Sequence, residues 1–362
     1  MAPDLGYHFH PERQTIIVDG HYLLHRVLRS PRMLGFATND GIPTGGLYGF
    51  LRSLRAAVAA VEGFNRCVVL FDGGSSARRS KLYREYRVRE HDDEPLRPGA
   101  VTLQLPVEEH LDVADIDPKR AKRERRAAAQ DGISYYDLFR HQVRLVQVWL
   151  RLMGINTLRL KQREADDVAY QLTQRATAEG LRSIIVSNDR DFFQLLSDDV
   201  HVYRPPMNVM EAGQYVTPEA FRSQFGFAPR RYLLYKALCG DPSDKVKGVP
   251  RVGEKTAAAI VQQCKKRQQL PQWCTKHPGG RLNFKAAGTE EAQLIIKRNL
   301  RLFDLRLEEF TDDEQHRITT VYRRRLPRDR ERLQRLATRL QLDTVAQHLG
   351  QWLQPFRWVD KS

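Results

Sequence analysis

Three short apolar runs, rich in β-branched residues, each close on acidic positions. TIIVDG ends at Asp19, CVVLFDG at Asp72, and SIIVSNDRD at Asp189 and Asp191. Runs of this kind followed by turn chemistry predict buried parallel strands. Elsewhere the apolar spacing is helical. Phe139, Val143, Val146, Leu150 and Met153 recur every three to four positions and predict an amphipathic helix over 134–153. The rest of the first half reads as a strand at about 15–19, a helix at about 21–29, and a loop through Gly41-Ile42-Pro43. A helix capped by Thr44 then runs to about Val61, followed by a strand at 66–71. Further on come a strand near 155–160, a helix from 164 to about 178, a strand at 182–187, a short helix near 190–196 and a strand at 200–203. Strands alternating with helices imply an α/β fold with a doubly wound, mainly parallel sheet.

Beyond residue 203 the pattern becomes helical. Thr217-Pro218-Glu219 caps a helix, 230–239 forms another, and Gly240 to Gln263 reads as two helices joined by a tight, glycine-containing hairpin. Residues 265–362 are basic and mostly helical, with loop chemistry at Pro278-Gly279-Gly280. The expected division is an α/β core at 1–203 with an insertion at about 75–132, a helical region at 204–305 carrying the hairpin, and a basic helical extension at 306–362.

Chemistry enters with the acids. In an open α/β sheet, ligand sites form outside the carboxyl ends of the strands. One strand-end Asp is ordinarily a turn residue, but three such strands converge on one pocket. Glu164, Asp166 and Asp167 add to it where a helix begins. So many carboxylates share a site only when cations compensate them, and an oxygen-only donor set selects hard ions such as Mg²⁺. On a regular helix Glu164 and Asp167 share a face while Asp166 points away, so Asp166 ligates only from an irregular first turn. Acids at a helix start also complement its dipole.

Charge sharpens the picture. The chain has 59 Lys+Arg against 44 Asp+Glu, a formal charge of +15 and a pI near 9.8. A basic protein with acids concentrated in one pocket suits a polyanionic partner. Cys67, Cys239, Cys264 and Cys274 form no CxxC pair, so they read as reduced thiols of a cytoplasmic protein. The sequence shows no leader and no run of membrane-spanning length.

Other segments also bear on function. Arg78 to Arg89 interleaves Arg79, Lys81, Arg84, Arg87 and Arg89 with Tyr83 and Tyr86. This suits phosphate contacts and base stacking on a single strand, or an amphipathic helix with a Tyr-Leu seam. Asp241 and Asp244 are helix caps or ligands of a second metal ion. In Gly248-Val249-Pro250-Arg251-Val252-Gly253-Glu254-Lys255-Thr256, a helix N-terminus can hold a phosphate through backbone N–H groups. The arginine-rich stretch at 323–339 is a solvated face or a DNA contact, and the opposed charge blocks at 90–117 and 119–126 extend the insertion.

Taken in order, IIVDG, GIPTGGLYGFLRSL, VVLFDGG, LYREYR, EADDVAY, SNDRDFFQLL, GDPSDKVKGVPRVGEKTA and NLRLFDL resemble the flap endonuclease and 5′-nuclease family, which includes the 5′-nuclease domain of bacterial DNA polymerase I. The resemblance spans residue 16 to about 262, and again 299–305. It implies a PIN-like fold with a helical arch insertion and a helix-hairpin-helix on duplex DNA. It also implies two-metal cleavage of DNA at 5′ ends or flaps, leaving 5′-phosphates, with RNA–DNA primers as further substrates. By motif match, Asp19, Asp72, Glu164, Asp166 and Asp167 form one metal cluster, and Asp189, Asp191, Asp241 and Asp244 the other. Mg²⁺ is the expected ion, Mn²⁺ its substitute, with K⁺ at the hairpin. Arg87 stands where the family has an arch lysine, and Arg251 where the hairpin has its first glycine. A polymerase, clamp or single-strand-binding protein is the expected partner, on a separate chain. Two rivals are a nuclease acting on RNA, which has little use for the hairpin, and a non-catalytic branched-DNA binder, which has little use for the acids.

Overall fold

A computed structural model describes residues 14–61, 63–87, 134–206, 212–277 and 282–361. The chain forms two compact units, each assembled from separated segments. One takes in the strand ending at Asp19 and the described parts of Phe64–Val88 and Leu158–Arg324; the other takes in the described parts of Gly20–Gly63, Arg89–Thr157 and Arg325–Ser362.

The first unit is built on the sheet. Strands β1 (Gln14–Asp19), β2 (Arg66–Leu70), β3 (Asn156–Leu158), β4 (Arg182–Val186), β5 (Val200–Arg204) and β6 (Gln214–Val216) lie in the order β3-β2-β1-β4-β5-β6. β1 is buried along its whole length because both its edges are paired, with Ile17 opposite Val68 on one side and Ile185 on the other. The β1–β2, β1–β4 and β4–β5 pairings are parallel, as the β-branched runs predict, and the edge strand β6 runs antiparallel to β5. Strand order reverses across β1 and β4, so the crevice at their carboxyl ends is the topological switch point.

Helix α6 (Ala165–Ala178) covers the sheet, with Val168, Ala169 and Leu172 packed on a core that includes Ile17, Val68 and Ile185. Burying each such aliphatic side chain contributes roughly 1.5–3 kcal/mol. The same core continues through Phe221 of α7 (Pro218–Phe225), Leu238 of α8 (Tyr232–Cys239) and Ile260 of α9 (Glu254–Gln263).

One predicted element differs. Gly240 to Gln263 holds a single helix, α9. Before it, β7 (Gly240–Asp241) and β8 (Val246–Lys247) pair antiparallel in a small hairpin. Gly240 has φ 76°, and a Cβ there would stand 2.2 Å from the Gly248 nitrogen. That left-handed, crowded backbone ends α8 and turns the chain back, so the first helix of the hairpin element is α8.

In the second unit, α1 (Gly20–Leu28), α2 (Pro31–Leu34), α3 (Gly45–Val61) and α5 (Tyr135–Leu152) pack together, and α4 (Ala77–Leu82) belongs to the first unit. The amphipathic face of α5 is buried as its spacing predicts, and Trp149 meets Trp352 edge-on at 6.4 Å. Buried Gln142 accepts the Leu47 N–H at 2.7 Å and donates to the Pro43 carbonyl at 2.7 Å. Of the arginine-rich stretch, helix Arg330–Arg339 buries Leu333 and Ala337, and Arg332 and Arg335 pair with Asp329 and the exposed Glu331. Among the described residues, no helix is long and apolar enough to cross a membrane. Arg89 and the insertion from about 90 to 132 lie outside the described residues.

Candidate nuclease centre

Three strands of the first unit deliver acids to the crevice. Asp19 is the last residue of β1, and its Oδ2 accepts the Ser187 hydroxyl at 2.9 Å. Asp72 follows β2, and its Oδ1 accepts the Ala165 N–H at 2.7 Å, so this carboxylate sits on the first turn of α6. Glu164 is the N-cap of α6 with an extended backbone, φ −83° and ψ 146°. Asp166 is the second residue of α6, set beside Asp19, Asp72 and Asp189. It is buried, and its carboxyl is pushed well above the usual range by burial first, then by Asp189, Asp19 and Asp72, with Arg87 opposing.

Glu164 and Asp167 share the other face of the same turn, where Arg79 lies. Both guanidinium Nη atoms of Arg79 donate to Asp167 at 2.6 Å, and its Nε donates to the Leu302 carbonyl at 2.8 Å. The Arg79 Nη1 also lies 3.1 Å from Glu164. Burial lifts the Asp167 carboxyl to about 6 even with Arg79 pulling it down. Glu164 further accepts the Ser76 N–H at 2.8 Å and the Tyr86 hydroxyl at 3.0 Å. Arg79 and Tyr86, expected on a nucleic-acid surface, are thus buried among the acids, because their polar ends satisfy carboxylates that burial would otherwise strand.

The remaining acids form a second group. Asp189 caps a 3₁₀ turn (Arg190–Leu195) and accepts the Asp191 N–H at 2.8 Å. Asp191, Asp241 and Asp244 each offer a carboxylate oxygen within 4.8 Å of the others. Buried Lys236 lies among them, bonded to Asp191 and 2.8 Å from Asp241. Burial presses its ammonium pKa down, but Asp191 and Asp241 more than offset this and hold it charged. Burial raises Asp191 to about 7 and also raises Asp244, in both cases against the pull of a nearby cation. Arg87 joins the two groups, with Nε 2.8 Å from Asp244 and Nη1 3.2 Å from Glu164 and 4.0 Å from Asp72. Sequence reasoning missed Lys236. The available signal was a single charge inside the otherwise apolar run YLLYKALC.

The other candidate contacts are distributed outside this centre. Lys81 and Arg84 are exposed, and half-buried Tyr83 lies under the Arg298 guanidinium at 4.6 Å. Arg251 and Lys255 are exposed, Thr256 is buried and Gly248 half-buried. Arg251 has φ 65°, the left-handed backbone that glycine favours, at a cost of about 1–2 kcal/mol. Gly253 caps α9, and a Cβ there would meet nothing within 4 Å, which leaves the helix N-terminus open to approach.

Known proteins resemble this chain over most of its length. The family model described as the 5′-3′ exonuclease N-terminal resolvase-like domain matches residues 14–116 and 121–226, and the 5′-3′ exonuclease C-terminal SAM fold matches 227–317. Thermostable DNA polymerase I of Thermus filiformis is 31% identical over 251 residues, 69% of this chain and 24% of that protein. DNA polymerase I of Mycobacterium tuberculosis is 30% identical over 246 residues, 68% of this chain and 22% of that protein. The chain therefore spans about a quarter of the length of these curated relatives. Among solved structures, the T5 protein co-crystallised with metal ions is similar at TM-score 0.56 and 15% identity, covering 91% of this chain and 98% of that one. The bacteriophage T5 flap endonuclease in a pseudo-enzyme–product complex with DNA and metal ions is similar at TM-score 0.53 and 16% identity, covering 90% and 100%. With both family domains matched end to end and the acids gathered at the switch point of the sheet, the chain belongs to the flap endonuclease and 5′-3′ exonuclease family.

Proposed function

We propose that this chain is a divalent-metal-dependent 5′-nuclease that hydrolyses phosphodiesters at 5′ ends or flaps of DNA, including RNA–DNA primers, during replication or repair. The observation that carries the reading is Asp166, buried among Asp19, Asp72 and Asp189 so that its charge is disfavoured until cations arrive. The donors are all carboxylate oxygens, which fit a hard divalent ion, Mg²⁺ first and Mn²⁺ in its place.

Asp19, Asp72 and Asp166 would hold one ion, with Asp189 beside them; Asp191, Asp241 and Asp244 would hold the second. Glu164 and Asp167 belong to the first group through their shared contact with Arg79. When bound, a pair of divalent ions supplies an activated water and charge stabilisation at the leaving 3′-oxygen. The chain's own residues do the rest. Arg87, already between the two acid groups, turns its guanidinium to the scissile phosphate. Its planar fork grips two phosphate oxygens where a lysine would offer a point charge. Lys236 limits repulsion within the second group while substrate arrives. Lys81, Arg84 and Tyr83 contact the 5′ strand. Gly248, Arg251, Gly253, Lys255 and Thr256 hold a duplex phosphate at the N-terminus of α9, with K⁺ at the same hairpin. All four cysteines are free, which fits a reducing cytoplasm, and a separate polymerase, clamp or single-strand-binding protein would supply the DNA.

Cleavage of a 5′-labelled single-flap duplex with Mg²⁺, with EDTA and with Asp72→Asn tests this. A labelled fragment of flap length, seen only with Mg²⁺ and the intact acid, establishes structure-specific endonuclease action. Release of mononucleotides or short oligonucleotides alone assigns the same centre to exonuclease action. Binding without cleavage in any divalent metal overturns the proposal.

A further inference from the structure

A second polar constellation, built from two imidazoles and a phenol, lies in the other unit. His21 and His25 stand one turn apart on α1, a spacing that puts two side chains on one helix face. Their Nε2 atoms are 3.1 Å apart. The other ring nitrogen of His25, Nδ1, lies 2.7 Å from the hydroxyl of Tyr135, the first residue of α5. Phe139, one turn further along α5, stacks on His25 with ring centroids 4.0 Å apart and meets His21 edge-on at 4.8 Å. The imidazoles are therefore held in place, with one nitrogen of each facing the other at hydrogen-bonding distance.

Two imidazole nitrogens bound to one ion at about 2.0–2.1 Å stand roughly 2.9–3.4 Å apart as the angle between them opens from square to tetrahedral. The observed spacing falls inside that window. Helical zinc sites use the same i, i+4 histidine pair, although Tyr22 stands here where a metalloprotease motif has its glutamate base. A ligating histidine characteristically donates its second ring N–H to an oxygen that fixes its orientation, and the Tyr135 hydroxyl is placed to accept that bond.

We propose that His21 and His25 form a two-nitrogen site for a borderline divalent transition metal such as Zn²⁺, Ni²⁺ or Cu²⁺, completed by water and oriented by Tyr135. Imidazole donors suit these ions, whereas the carboxylate centre suits Mg²⁺, so the two sites sort ions by donor chemistry. Occupancy would link the two ends of an i, i+4 turn and stiffen the start of α1. No hydrolytic chemistry is assigned to it. The competing arrangement is a chain of ordinary hydrogen bonds, Tyr135 O–H to His25 Nδ1 and His25 Nε2–H to His21 Nε2.

Isothermal titration of the full chain with Ni²⁺, in saturating Mg²⁺ to occupy the carboxylates, distinguishes the two. The expected result is a one-equivalent site that is lost in both His21→Gln and His25→Gln, with Cu²⁺ electron paramagnetic resonance of the unmodified chain showing coupling to two nitrogens. Tyr135→Phe should weaken Ni²⁺ about tenfold, the usual effect of losing an outer-shell partner. Absence of the site in the unmodified chain, or its survival at equal affinity in either glutamine variant, overturns the proposal and leaves a shared proton. Should a glutamine variant not fold, Tyr135→Phe decides, since it keeps both rings; unchanged Ni²⁺ affinity there overturns the proposal.

Discussion

Arg79 grips Asp167 through two parallel hydrogen bonds of 2.6 Å, both side chains sealed from solvent. The pair ties α4, which follows the turn bearing Asp72, to the start of α6, which carries Glu164 and Asp166. A buried pair of this kind contributes little net stability against an apolar substitute, but breaking it leaves a stranded charge. Arg79→Gln should therefore destabilise the chain by about 3–5 kcal/mol. Adding Asp167→Asn should recover part of that loss, because the uncompensated carboxylate is gone. Urea unfolding of the two single variants and the double variant closes the cycle. Simple additivity would show that the two residues act independently.

Lys236 makes a parallel argument in the second acid group. Lys236→Met removes the cation lying between Asp191 and Asp241. The variant should unfold earlier than the parent in EDTA and regain most of the difference in Mg²⁺, since a divalent ion can replace the lost charge. Thermal unfolding with and without Mg²⁺ reads this directly. An equal shift in both conditions would limit Lys236 to packing.

At Gly240 the constraint is on the backbone. A methyl group there meets the Gly248 nitrogen and the Val246 carbonyl at 2.2 and 2.5 Å, at a φ that disfavours side chains. Gly240→Ala should cost about 1–3 kcal/mol and displace the hairpin bearing Asp241 and Asp244. Cleavage should fall further than stability alone accounts for, while binding at the N-terminus of α9 is retained. Flap cleavage at saturating enzyme, set beside duplex affinity, separates the two effects.

His201 supplies a pH dependence away from the acids. It is 4% exposed in β5, and burial, with Arg182 adding to it, pushes its pKa down to about 4. Above the unfolded value of about 6.5 the imidazole is neutral in both states and contributes nothing. As pH falls from there toward 4, the unfolded chain takes up a proton that the folded chain refuses, so stability is lost over that window. His201→Gln should remove roughly 1–3 kcal/mol of the fall between pH 7 and pH 4.5. Urea midpoints at those two pH values are the check, and an unchanged difference would place the acid sensitivity elsewhere.

The sequence by itself determined the sheet, its strand-end acids and the family. Each depends on short-range rules: β-branched runs bounded by turn residues, acids at strand ends, and motifs in a set order. Asp19, Asp72, Asp189 and Asp191 stand where those rules place them. The same local reasoning left Asp166 conditional on an irregular first turn of α6, whereas it stands beside Asp19, Asp72 and Asp189 from within the helix. It also set Arg79 and Tyr86 on a nucleic-acid surface and read two helices over 240–263. Tertiary structure decided those points. Arg79 reaches Asp167 across 88 positions of sequence, and Lys236 reaches Asp191 across 45. A cation's place among carboxylates depends on which groups burial leaves uncompensated, and that is a property of the packed chain. Gly240 turns back for a related reason, since the crowding that needs a glycine comes from Gly248, brought close only by the fold.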